Sequence, residues 1–348
     1  MLSLRSLLLL SAPMMVGAEA AAAYGTAAPG APLKTVTVDN FVRAESDMYF
    51  AKAVHEGAFG TLRHTRQTTP LEEQSVVRMN RDTLYSQGVF DFEAGALTIT
   101  LPDTGKRFMS LQVVSEDYYT TEVVYAPGHH RYDKARVGTR YVCLIIRTLA
   151  NPEDAADVRN ANAAQDRIRV EQAGKGRFEI PKWDPKSQDK VRDALNNLAA
   201  LRGSDLGATF GAKNQVNPVN HLLGTAIGWG GNPPSAAIYV GAFPKHNDGK
   251  TVHRLNVKDV PVDGFWSISV YNDKGFFEKN ELGVYSLNSL TAKPGADGSY
   301  TVQFGGCHRG TPNCLPIMAG WNYTVRLYRP RQPILDGRWK FPAALPVT

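Results

Sequence analysis

Alternating apolar and polar residues occur in two blocks of this sequence, and the stretch between them is patterned as helix. The first block holds "ALTITLPD" at 96–103, "RFMSLQVVS" at 107–115, "TEVVYAPG" at 121–128 and "TRYVCLIIRT" at 139–148. The second holds "AAIYVGAF" at 236–243, "FWSISVYN" at 265–272, "SYTVQFGG" at 299–306 and "NYTVRLYRP" at 322–330. A period of two with turn residues between the runs predicts antiparallel strands. Between the blocks, Asn151 stands as a helix cap before Pro152, Glu153 and Asp154. Asp184 opens a second helix with Val191, Leu195 and Leu198 on one face and Gly203 after it. Strands, helices and strands in that order predict an α+β fold, predominantly β, with two β-rich antiparallel-sheet modules joined by a helical segment.

The expected divisions are a signal peptide over 1–23, a flexible leader over 24–38, an N-terminal β-rich module over 39–148, a helical connection over 149–217, and a β-sandwich-like module over 218–348. The first division rests on "MLSLRSLLLLSAPMMVGAEAAAA", where Arg5 precedes a short apolar core and small residues. That core is too short to span a bilayer and fits a cleaved export signal, so a periplasmic or secreted protein is expected, with no transmembrane segment after cleavage. Within the N-terminal module, Asp39 or Asn40 caps a helix with Phe41, Ala44, Met48, Ala51 and Ala58 at three-and-four spacing, ended by Gly57 and Gly60. His55 falls on that stripe and reads as a hydrogen-bonded core residue.

An exported chain permits disulfides, and Cys307 and Cys314 bracket the turn "HRGTPN" between two predicted strands. One loose pair is too little for a ribbon-type metal site, and six intervening residues exclude a redox motif; a structural disulfide closing a hairpin-like loop is expected. Cys143, inside an apolar run, reads as a small buried hydrophobe.

The formal net charge of +6 is spread along the chain without a basic arm, so nucleic acid is not an expected partner, whereas a small anionic ligand is. The serine-hydrolase elbow, the paired-histidine zinc motif, the phosphate loop and the dinucleotide fingerprint are all absent. What remains is a cluster around "MNRDTLYS" at 79–86. Arg63 and Arg81 offer planar forks for phosphate or carboxylate, His64 offers a proton, and Asp82 or Glu45 a general base. A divalent cation on Asp82 is possible chemistry; no cofactor is otherwise implied. The competing account makes Asn80 and Asp82 turn caps and leaves the arginines at the surface. The pair His129–His130 reads as a solvated turn. In the second block, Ser267, Ser269 and Tyr271, like Thr324, Arg326 and Tyr328, share a polar-aromatic face that lines a ligand cleft or meets solvent. Trp229, in "GWGGNPP", is placed at a turn exposed enough to meet a ligand.

The motifs "ESDMYFAKAV", "NRDTLYSQGVFDF" and "LPDTGKRFMSLQVVSEDYY" resemble the domain of unknown function 1254. The motifs "GWGGNPPSAAIYV", "PVDGFWSISVYNDKGFFEKNELGVYSLN" and "NCLPIMAGWNYTVRLYRPRQPILDGRWKFP" resemble the domain of unknown function 1214. This resemblance covers nearly all of the chain beyond the leader and implies β-rich modules in an exported bacterial protein. It also marks Asn80, Asp82, Thr83, Leu84 and Tyr85 as matching the first module's signature. The expected function is hydrolysis of a small phosphorylated or carboxylate-ester substrate. Asp82, His64 and Glu45 would be catalytic, and Arg63, Arg81, Asn80, Thr83, Tyr85 and Trp229 would bind substrate. The alternative is a non-catalytic envelope protein that binds glycans or a protein partner. The sequence sets no oligomeric state.

Overall fold

The computed structural model describes residues 32–74, 77–201 and 208–347. The expected signal peptide, and Gly203, lie outside the described residues. In the N-terminal half the strands are β1 (Arg63–His64), β2 (Thr83–Asp91), β3 (Leu97–Leu101), β4 (Met109–Ser115), β5 (Thr120–Tyr125), β6 (Gly128–Tyr132), β7 (Tyr141–Leu149) and β8 (Arg169–Glu171). Strands β1-β2-β7-β4-β5 form one antiparallel sheet and β6-β3-β8 a second. The sheets meet face to face through Leu97, Ile99, Leu111, Val113, Val142, Leu144 and Ile146. Because successive side chains alternate between faces, Val89, Cys143 and Ile145 point the other way, onto helix α1 (Phe41–His55). Cys143 is fully buried, and burial pushes its thiol up to about 12.

Helix α1 is buried on more than its apolar stripe. Glu45, Ser46 and Asp47 are enclosed as fully as Ala44 and Phe50. The reason is a second cover: α4 (Pro185–Leu201) and α5 (Pro218–Ile227) pack on α1 through Phe41, Ala44, Leu195 and Leu223. His55, by contrast, is exposed in the last turn, not a core residue, because the helix has run past its neighbours there. Asn40 sits at the cap position, but its Oδ1 accepts from Thr37 N at 2.9 Å and ties the preceding turn instead.

Two helix starts were expected at Asn151 and Asp184. Asp184 caps α4 as expected, its carboxylate accepting from Lys186 N and Ser187 N. The other helix, α3 (Ala155–Asp166), starts later, with Asp154 as its cap. Asn151 Oδ1 accepts from Glu153 N at 3.1 Å, and this local turn competes with helix at Pro152. Helix α5 starts with Asn217 as cap and Pro218 at the first position. The short α2 (Lys134–Val137) and α6 (Gln332–Leu335) complete the α-helices among the described residues. His129 and His130 lie on strand β6, not in a turn, paired with Thr100 and Ile99.

In the C-terminal half, β9 (Ala237–Ala242), β10 (His253–Val257), β11 (Trp266–Tyr271), β12 (Ser286–Asn288), β13 (Tyr300–Phe304), β14 (Cys314–Leu315), β15 (Asn322–Tyr328) and β16 (Leu345–Pro346) build two sheets, ordered β14-β13-β10-β16 and β12-β11-β15-β9. They enclose one core holding Leu255, Trp266, Ile268, Val302, Phe304, Trp321 and Val325. Cys307 and Cys314 are bonded. The loop they close is not a hairpin: β14 runs parallel to β13, pairing Gln303 with Cys314. Replacing both cysteines by serine is expected to cost roughly 2–3 kcal/mol of unfolding free energy in a urea titration, since a short loop is released in the unfolded chain. The fold is therefore α+β and predominantly β, and among the described residues no helix is long and apolar enough to cross a membrane.

Candidate functional site at the junction of the two halves

The polar faces of β11 and β15 do not meet solvent. Ser267, Ser269, Tyr271, Thr324, Arg326 and Tyr328 are all buried, covered by the N-terminal half. Register explains which groups meet there. In the C-terminal sheet Asn288, Ser267, Arg326 and Tyr239 are successive cross-strand partners and form one transverse row. In the N-terminal sheet Tyr85, Arg147, Ser110 and Tyr125 form another. Both rows carry an arginine at an inner position, and the junction buries the two guanidinium groups, Arg147 at 4% and Arg326 at 1% exposure.

The two cations are compensated differently. Arg326 donates to Ser269 Oγ at 2.9 Å, to Tyr271 Oη at 2.7 Å and to the Arg78 carbonyl at 2.8 Å. Its electrostatic partner is Asp82, whose own carboxyl burial pushes up and Arg326 pulls back down. Asp82 Oδ1 accepts from Asn288 Nδ2 at 3.2 Å, while Asp82 Oδ2, Arg326 Nε and Ser267 Oγ have no hydrogen-bond partner among the described residues. Ser267 stands near enough to favour the carboxylate, without closing a bond of good geometry. Among the described residues Arg147 has no carboxylate partner. Its bonds go to Gln112 Oε1 at 2.8 Å, Asn232 Oδ1 at 3.3 Å and the Gly230 carbonyl at 2.9 Å. The charge is instead favoured by the phenols of Tyr85, Tyr239 and Tyr328, which outweigh burial.

Tyr85 is the half-buried member of this set. Burial opposes its ionisation, but Arg147 and bonds with Asn80 and Thr83 draw its phenol below the ordinary value. Asn80 Nδ2 faces three oxygens, Thr83 Oγ1 at 3.0 Å, Tyr85 Oη at 3.3 Å and Tyr328 Oη at 3.2 Å, and so ties the halves together. Its Oδ1 accepts from Asp82 N at 2.8 Å. The turn at 79–86 is therefore both a cap and a wall of the site.

Asn80, Asp82, Thr83 and Tyr85 thus gather at the junction. Arg81 stands half-buried beside them, donating to the Thr69 carbonyl and lying over the rings of Phe277 and Tyr285. The other expected residues lie elsewhere. Glu45 receives Arg192 Nε at 3.0 Å and Nη2 at 2.7 Å, and Gln188 Nε2 at 2.8 Å, a buried pair locking α1 to α4. His64 Nδ1 pairs with Ser86 Oγ at 2.7 Å, and burial together with Arg66 lowers its pKa. Ser86 follows Asp82 by four residues, about 13 Å along an extended strand. Arg63 is exposed and paired with Glu56. Trp229 is core, not ligand-facing: it stacks between Tyr49 at 5.0 Å and Tyr118 at 5.4 Å and donates to Ser46 Oγ at 3.2 Å. Among the described residues no group of three His, Cys, Asp or Glu is placed to hold a metal.

Sequence reasoning missed Gln112, Arg147, Asn232 and Tyr239, and it did not place Arg78, which belongs to the same arginine-rich stretch as Arg63 and Arg81, in the interior. One signal was present: Arg147 is the lone charge in the apolar run "YVCLIIRT" and shares the parity of Cys143 and Ile145, which places it on a covered face. Arg78 gave no such signal. It takes a positive φ of 53°, bonds Gly275 O through its amide and buries its guanidinium against Asn322 Oδ1 at 2.5 Å.

With this geometry in place, comparison with known proteins adds two family matches. The profile described as Protein of unknown function (DUF1254) matches residues 59–131, and that described as Protein of unknown function (DUF1214) matches residues 237–332. No curated protein matches the chain. Among solved structures the fold is similar to the VPA0106 protein from Vibrio parahaemolyticus, at 19% identity and a TM-score of 0.68, covering 95% of this chain and 99% of that one. A putative uncharacterized protein from Burkholderia cenocepacia aligns at 14% identity and a TM-score of 0.47, over 85% and 84% of the two chains.

Proposed function

We propose that this chain, which carries a DUF1254 module at 59–131 and a DUF1214 module at 237–332, binds a small anion at the junction between its halves. The supporting observation is Arg147: an enclosed guanidinium whose partners are amides, a carbonyl and phenols, with no carboxylate among the described residues to balance it. An unbalanced buried charge costs several kcal/mol, and a structure retains one where a ligand of opposite sign supplies the balance. Half-buried Tyr85 and Asn80 form the approach, and both can bond an oxyanion while Arg147 supplies the field. Hydrolysis of a phosphate or carboxylate ester is the finer form of this reading. Tyr85, whose phenol Arg147 makes a better acid, then takes the proton-donor role that the sequence suggested for His64. Export through the N-terminal leader belongs to the same proposal and rests on the leader's sequence pattern. The glycan-binding alternative loses the β11 and β15 faces it was built on, since these are buried.

A thermal-shift titration with phosphate, sulfate, acetate and citrate tests the binding, because a ligand preferring the native state raises the melting temperature. At least one of these anions is expected to give a saturable rise. Tyr85→Phe and Asn80→Ala are expected to weaken it about tenfold, the loss of one charge-assisted hydrogen bond. No response to any of the four, or an unaltered response in both variants, would remove the proposal. Ester hydrolysis by the wild-type protein is read in the same series, and Tyr85→Phe is expected to slow it.

A further inference from the structure

Away from the Tyr85–Arg147 pair, a groove of about 470 Å³ opens between α3, the turn before β4 and the C-terminal half. One wall is a helical stripe, Asn160, Ala163, Ala164 and Arg167, at the spacing that puts four side chains on one face. Two alanines in the middle of that stripe leave the depression. Leu149 and Leu290 line it from the two halves, and Leu290 is half exposed. The groove is thus apolar along its length and cationic at its rim, where Lys106, Arg107 and Arg167 stand with no acidic lining residue.

Not all of that charge is free. Arg107 Nη2 holds Asp157 Oδ1 at 2.5 Å, and its Nη1 donates to the Leu149 carbonyl at 2.6 Å. The other nearby acids are occupied as well: Asp166 pairs with Arg66, and Asp103 Oδ1 accepts from Gly105 N. Lys106 and Arg167, both exposed, have no ion-pair partner among the described residues. An apolar trough with two free cations and a fixed third fits one chemical class, an organic anion with an unbranched apolar tail.

We infer that this groove binds a medium-chain carboxylate, its tail along Ala163, Ala164, Leu149 and Leu290 and its head between Lys106 and Arg167. Neither half of the ligand suffices: a neutral alcohol lacks the head contact and an inorganic anion lacks the buried tail.

Titration calorimetry of the full chain with octanoate, 1-octanol and inorganic phosphate tests this. Octanoate is expected to bind saturably and at least about tenfold more tightly than 1-octanol, the worth of one charge-assisted contact. Ala163→Leu fills the groove without changing charge, and Arg167→Ala removes a cation without filling it. Both positions are exposed, so unchanged circular dichroism is expected, and each variant is expected to weaken octanoate about tenfold. Ala163→Leu is expected to leave the anion-induced rise in melting temperature at the junction site intact, which separates this groove from that site. Failure of octanoate to bind the wild-type protein overturns the inference, and so does affinity that Ala163→Leu leaves unaltered.

Discussion

Replacing Arg326 by leucine is expected to lower the unfolding free energy by about 3–5 kcal/mol, the cost of leaving a buried charge without the opposite charge that faces it. The substitution leaves Asp82, which is wholly enclosed, facing Asn288 Nδ2 as its remaining donor, and it takes the donor from Ser269 Oγ, Tyr271 Oη and the Arg78 carbonyl. Asp82→Asn in the same chain is expected to recover part of the loss, because no charge is then left without its counterpart. The recovery is favoured by the geometry: Asp82 Oδ2 and Arg326 Nε close no hydrogen bond, so the pair is held by field more than by contact. Urea unfolding of both single variants and the double variant gives the coupling directly. A loss near zero for Arg326→Leu would mean that this guanidinium is solvated, contrary to the enclosed junction described above.

Asp47 gives the second large effect, and this one depends on pH. Burial pushes its carboxyl up to about 7 from an ordinary value near 3.8. The bond from Trp183 Nε1 and the nearby Arg43 resist that shift, while Glu116 and Asp117 reinforce it. Since the folded state holds this proton more tightly than the unfolded chain, the contribution is fully present below about pH 4. It is lost as pH rises toward 7 and is constant above. That interval corresponds to roughly 4 kcal/mol. Asp47→Asn keeps an acceptor for Trp183 and removes the titration. The stability of the variant relative to wild type is therefore expected to rise by roughly 4 kcal/mol between pH 4 and pH 8. Chemical denaturation at the two pH values measures it; parallel behaviour of the two proteins would show that Asp47 is ionised in the fold at both.

The strands were legible because alternation reports a sheet face directly: β3, β4, β9, β11, β13 and β15 fall within the runs that predicted them, and β7 outruns its own by one residue, Leu149. Helix α4 was legible for the same local reason, through the Asp184 cap. What alternation does not report is what covers each face. Ser267, Ser269 and Arg326 look like a solvent side until another sheet is laid on them, and nothing local in "FWSISVY" says that one is. The same limit divides the site. Asn80, Asp82, Thr83 and Tyr85 are neighbours in the chain, so a local motif could collect them. The partnership of Tyr85 with Arg147 is a matter of strand register, and that of Asn80 with Tyr328 spans the whole fold. Among the arginines, composition is silent on which is enclosed: Arg63 stayed outside, and Arg78 was drawn in by a backbone turn against Gly275.

The shared row of polar groups has a consequence for how such a sequence can vary. Asn80 holds one phenol from each half, and Arg326 reaches across to the carbonyl of Arg78, so the chemistry of one unit is completed by atoms of the other. A substitution on either side is judged by a lock whose key lies in the opposite half. The two units can drift only in step, and grafting one of them alone onto a foreign scaffold would carry over a surface cut to fit something no longer there.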